Sequence, residues 1–177
     1  MLSTAAAPAP RLTVAPVPGQ VYAPFVTGFT GVDQQSMLAI DPAHQLLYAI
    51  SSTGGFVTVS NLSTGALLRE SVIDPNPLPG FVSWDGLCLD AGAGTLFASF
   101  QTPVNGSVWA INTSSLAVVH NYTDFPPVPN FEPAALAFDA PSNTLLVQNR
   151  SGGLVALLNV TSGGTKAVLD PCPANAT

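Results

Sequence analysis

Three aspartates recur at a fixed interval in this sequence: Asp41, Asp90 and Asp139 stand 49 residues apart at each step. Carboxylates at one spacing suit metal binding or acid–base work, provided the fold gathers them in one place. The local alternative is that an aspartate closing an apolar run accepts the N–H groups of the turn behind it. Recurrence at one repeat position favours the turn, because a repeat distributes its copies instead of collecting them. His44 follows Asp41 in such a turn, whereas His120 lies far along the chain, and neither stands in a Ser–His–Asp pattern. Gly-X-Ser-X-Gly and phosphate-cradling loops are absent. Cys88 and Cys172 are widely separated and, with two histidines, make no zinc motif of familiar spacing. No catalytic residues, no metal and no cofactor are expected from these patterns.

Asparagine supplies a second candidate chemistry. Asn-X-Ser/Thr occurs at Asn61, Asn105, Asn112, Asn121, Asn149, Asn159 and Asn175, seven of the ten asparagines. The composition alone would give roughly 1.7. Such acceptor sites imply a glycosylated chain outside the cell or in the secretory lumen. Asn61, Asn112 and Asn159 share one repeat position, so for these three a turn-capping role is the competing explanation.

The elements that carry these residues repeat as well. Leu38-Ala-Ile-Asp41, Leu87-Cys-Leu-Asp90 and Leu136-Ala-Phe-Asp139 are one pattern, and each is followed by four turn-like residues and a second apolar run beginning at 46, 95 or 144. Gly54-Gly55, Asn105-Gly106 and Gly152-Gly153 then mark hairpins leading into third runs. Fourth runs cover 67–72, 117–122 and 165–169, and Pro-rich connectors follow at 74–80 and 124–130. Four short strands per unit, apolar on both faces, describe a propeller blade. No helical period is sustained. The expectation is an all-β partial propeller of about three four-stranded blades, with strands of a preceding blade before them. The divisions are a flexible Ala/Pro-rich tail over 1–20, blades within 21–170 (34–82, 83–131 and 132–170), and a C-terminal tail over 171–177. Cys88 falls where the other units have Ala39 and Ala137, which reads as a small core position; a Cys88–Cys172 bridge and pairing of Cys172 elsewhere remain open.

The stretch Glu132-Pro-Ala-Ala-Leu-Ala-Phe-Asp-Ala-Pro-Ser-Asn-Thr-Leu-Leu-Val147 and its two relatives resemble the NHL, YVTN and SMP-30/gluconolactonase propellers over about residues 34–170. That resemblance implies a divalent metal held by Glu, Asn and Asp from different blades. Glu132 is the position near the family's early Glu. Pro133 follows it directly instead of one residue later, and the other ligand positions have no counterpart. Propeller ligands usually meet the residues just before each first strand, so Trp84, Asp85, Phe131 and Glu132 are the candidate binding face. The aromatics among them also suit packing of the connectors.

Composition narrows the partners. Charged residues make up 8%, with Lys+Arg 4 against Asp+Glu 10 and a net charge of −6, which disfavours nucleic acid. No run approaches the roughly 20 apolar residues of a membrane span. The first residues lack a basic leader and an apolar core of a signal peptide, so an exported chain is expected to be truncated there. Open blade faces are expected to meet either remaining blades in a longer chain or another copy. The functional expectation is a non-catalytic interaction module of an exported propeller glycoprotein, binding protein or glycan through connector loops. The alternatives are a fragment of a metal-dependent lactonase-like or quinoprotein-like enzyme, and a spacer in a surface glycoprotein.

Overall fold

A computed structural model of the chain describes residues 36–51, 55–73, 83–101, 106–123, 125, 131–151 and 153–170. The tails, Asn105, Asn175, Cys172, the whole of the first Pro-rich connector and all of the second but Phe125 lie outside these residues.

The described residues form twelve strands and no helix. The first sheet is β1 (Ser36–Asp41), β2 (Leu46–Ser51), β3 (Phe56–Asn61) and β4 (Leu67–Val72). The second is β5 (Ser83–Asp90), β6 (Thr95–Gln101), β7 (Gly106–Asn112) and β8 (Val118–Tyr122). The third is β9 (Pro133–Asp139), β10 (Thr144–Asn149), β11 (Val155–Asn159) and β12 (Thr165–Leu169). Each sheet is an antiparallel meander in chain order, the arrangement of a propeller blade.

Register makes the repeat physical. Leu38 pairs with Ala49, Leu87 with Ala98 and Leu136 with Val147, so the three leucines are equivalent. Strand β5 packs between β1 and β9, which places the first strands together on the inside. The fourth strands β4, β8 and β12 are mostly exposed and form the outer edge. Two apolar cores fill the joints between blades. Tyr48, Ile50, Val57 and Val59 of the first blade meet Trp84, Leu96, Phe100 and Ile111 of the second. Phe97, Val108, Ala110 and Tyr122 of the second meet Leu145, Val147, Ala156 and Leu158 of the third. Each blade has a leading face toward the preceding blade and a trailing face toward the next, so a strand of the middle blade is apolar on both sides.

Two turns per blade lie at the same end. The turn after the first strand ends in left-handed Gln45 (φ 56°), Gly94 (φ 62°) or Asn143 (φ 50°). The turn after the third strand has Gly65 (φ 70°), Leu116 (φ 57°) or Gly163 (φ 72°). Leucine is costly in this conformation. Leu116 adopts it while burying its side chain in the first joint, where apolar burial offsets the backbone strain.

Candidate functional site

The recurrent aspartates hold turns. Asp41 Oδ1 accepts the N–H groups of Ala43 and His44, both at 3.1 Å, and its Oδ2 accepts from His44 Nδ1 at 2.7 Å. Asp90 Oδ1 accepts Ala93 N–H at 3.0 Å, and Asp139 accepts the Ser142 hydroxyl. Burial pushes the Asp41 carboxyl up, but the hydrogen bonds and charge of His44 outweigh it and leave its pKa below the ordinary value. The three carboxylates sit on separate blades, and no group of three or more His, Cys, Asp or Glu among the described residues could hold a metal.

The repeat-position asparagines act in the same way. Asn61 Oδ1 accepts from Ser63 and Thr64 N–H, Asn112 from Ser114 and Ser115, and Asn159 from Thr161 and Ser162, at 2.9–3.2 Å. Asn149 differs. It is 2% exposed, and its Oδ1 accepts Glu132 N–H at 3.0 Å, joining the start of β9 to the end of β10. Asn121 is exposed on the outer strand β8.

Two grooves open between blades at the turn end. One, about 390 Å³, is lined by Asp41, His44, Tyr48, Arg69, Thr113 and Ser114 among others. The other, about 410 Å³, includes Asp90, His120, Tyr122, Asn143, Thr161 and Ser162. They are repeat-equivalent: Arg69 pairs with Val59 on β3, and His120 pairs with Ala110 at the matching place on β7. In the first, Arg69 donates to the carbonyls of Ser114 and, at 3.0 Å, Thr113, while Tyr48 is hydrogen-bonded to the Thr113 side chain. In the second, Tyr122 donates its hydroxyl to Val160 O at 3.0 Å, and its ring lies 4.3 Å from His120. Burial raises the pKa of both phenols, so both stay protonated at neutral pH. Within each blade the two turns are tied together, by Ser63 to Gln45, Thr113 to Gly94, and Asn143 to Thr161.

The four expected binding-face residues do not form one exposed surface. Trp84 is 1% exposed, packed with Phe100 at 5.2 Å and Trp109 at 5.5 Å, so its ring belongs to the first joint. Phe131 is buried and stacked on Phe125 at 4.8 Å, so these two rings pin the ends of the second connector together. Asp85 is nearly enclosed and paired with Arg150 at 2.5 Å, and Arg150 also donates to Gln101 Oε1 at 3.0 Å. Glu132 is half-buried, its carbonyl accepting Arg150 N–H at 2.9 Å. The nearby groups do not suit a cation: a guanidinium stands over Asp85, and the Asn149 oxygen already holds a backbone N–H. The residues present therefore do not fit the divalent metal implied by the resemblance, and no chemistry is derived through one.

Cys88 carries a free thiol packed against the second core. Burial, with Asp90 nearby, pushes its pKa up to about 12, so the reactive thiolate is suppressed. The cations were silent in the sequence, yet each described one is a staple. Arg69 and Arg150 bridge blades, and Lys166 donates to Ser142 O and Thr144 Oγ1 within the third blade. Aligning the fourth strands would have set Arg69 against His120, the one signal available for the grooves. No protein-family model matches the chain, and no curated protein is similar to it.

Proposed function

We propose that this chain is a non-catalytic interaction module, part of an extracellular or lumenal β-propeller glycoprotein of the NHL, YVTN and SMP-30/gluconolactonase kind. It binds protein or glycan through loop surfaces. The observation that carries this reading is the pair of repeat-equivalent grooves at the turn end, where imidazole and hydroxyl groups are presented on a tied, ordered platform. Fixed polar groups beside aromatic rings suit the hydroxyls of a sugar or the backbone of a peptide loop. His44 and His120 are exposed there, while the aspartates behind them are occupied in turns. Export is supported by the density of sequons, and among the described acceptors Asn121 is the one that is exposed.

Two measurements test the reading. Mapping of the protein expressed through a secretory pathway should find glycan on Asn121 and none on Asn149; unmodified asparagines throughout would remove the export argument. Glycan-array and peptide-display binding should weaken about tenfold on His44→Ala or His120→Ala, the cost of roughly one hydrogen bond. A stoichiometric metal with lactone hydrolysis, both lost on Glu132→Ala, would instead establish an enzyme.

A further inference from the structure

The two grooves between blades are equivalent by repeat yet carry different chemistry. Arg69 of the first groove answers to His120 of the second, His44 to Ala93, and Tyr48 to Phe97. At these positions the first groove has a guanidinium, an imidazole and a phenol, where the second has an imidazole, a methyl group and an unsubstituted ring.

The proton on His44 is placed by its partner. Asp41 is held below the ordinary carboxylate pKa, so near neutral pH it is ionised and can only accept. His44 Nδ1, 2.7 Å from Asp41 Oδ2, must then carry a proton. In the neutral ring this leaves Nε2 as an acceptor, on a side chain that is 68% exposed. The Asp41 side chain is 6% exposed and its oxygens are occupied by the turn, so its charge faces the imidazole instead of the groove. Arg69 is the groove's cation. Its planar fork is fixed by donating to the carbonyls of Thr113 and Ser114 across the joint, and its other N–H groups have no partner among the described residues. Such a fork suits a carboxylate. A charged donor and a neutral acceptor thus share one groove, and a ligand that meets both carries a carboxylate and a hydroxyl.

We propose that the first groove binds the terminal uronic acid of an acidic glycan, with its carboxylate on Arg69 and a ring hydroxyl donating to His44 Nε2. This rests on the reading of the grooves as binding surfaces and names the ligand class of one of them. At about 390 Å³ the groove lies at the low end of the roughly 300–1,000 Å³ of ligand sites, which suits one terminal residue better than a long chain. An aspartate or glutamate of a peptide supplies the carboxylate without a hydroxyl on the same frame, so the sugar acid is the better match. The second groove has no guanidinium and is lined by Asp90, so it does not share the preference. The net charge of −6 steers anions away at long range, which makes the preference an effect of contact.

The test is calorimetric titration of the full chain with a glucuronic-acid-terminated oligosaccharide, its glucose-terminated counterpart and an aspartate-rich peptide. The acidic sugar should bind about tenfold tighter than the neutral one. Arg69→Met should abolish that difference, and because Arg69 is exposed the circular dichroism should match the parent. Lys166→Met removes an equal charge from the third blade and should leave the difference intact. Equal affinity for the two sugars, or a preference that survives Arg69→Met, would overturn the inference while leaving the grooves as binding surfaces. Tighter binding of the peptide would overturn it in favour of an acidic protein segment. Absence of binding by all three would overturn it as well, and the glycan-array and peptide-display measurements then decide the underlying reading separately.

Discussion

The two joints between blades use the same backbone register and solve the packing problem differently. The first is filled with large side chains: Trp84, Phe100 and Trp109 lie mutually within 5.1–5.5 Å, opposite Ile50, Val57 and Val59. The second brings backbone closer. A Cβ on Gly86 would stand 2.2 Å from Ala134 O, and one on Gly106 1.9 Å from Pro133 Cδ. Ala156 takes the place that Trp109 has in the first joint, and Met37 stands in the first joint where Gly86 stands in the second. Polar staples accompany the close approach: Ser99 Oγ donates to Ala134 O at 2.6 Å, Tyr122 to Val160 O, and Arg150 to Gln101 and Asp85. A repeat therefore fixes where blades meet, while volume can be met by bulk or by proximity.

This contrast can be broken from either side. Trp84→Ala should be the most damaging change, costing about 4 kcal/mol through a cavity that the flanking rings cannot close. Urea unfolding measures it, and a loss below about 2 kcal/mol would mean that the aromatic cluster does not hold the first joint. Gly86→Ala should cost about 3 kcal/mol, because backbone cannot retreat from the new methyl. At the equivalent position Met37→Ala should cost only about 1 kcal/mol, since Met37 is half-buried and removal leaves no clash. Equal losses at Met37 and Gly86 would erase the distinction between the joints.

Smaller changes sharpen the comparison. Tyr122→Phe removes one hydroxyl donor from the second joint and should cost about 1 kcal/mol, with hydrogen exchange rising first in the third blade. Arg69→Met at the exposed end of the first joint should cost about 0.5 kcal/mol. The smallest effect is on pH dependence. The Asp41 pKa is depressed on folding, so its contribution is present above the unfolded value of about 3.8 and is lost as pH falls through the folded value. Asp41→Asn should therefore lower Tm at pH 6 and converge on the parent by about pH 2. A constant difference across that range would show that the carboxylate charge is not what holds the turn.

Much of this architecture was legible because it is local and periodic. The apolar tetrads ending in Asp41, Asp90 and Asp139 are the last residues of β1, β5 and β9, and the all-β arrangement of four-stranded units appears as the repeat implied. The turn role of the aspartates and of Asn61, Asn112 and Asn159 was also readable, since a side chain that caps its own turn needs nothing distant. The candidate site was much less legible. Trp84 and Phe131 stand just before or at first strands, where sequence position suggests a channel mouth, but their rings enter joints built from strands tens of residues away. Asn149 matches an acceptor motif and is a buried connector between β9 and β10.

From the chain alone came the unit, its length, its strand order and the chemistry of its turns, because these depend on neighbours within a few residues and on a period that survives substitution. The tertiary structure decided which face of each strand is covered, which cations staple one blade to the next, and where Leu116 outweighs the strain of its own turn. Those outcomes depend on volumes and distances across a joint. The same repeat position can hold Trp109 or Ala156, Met37 or Gly86, and only the opposing blade determines which one fits.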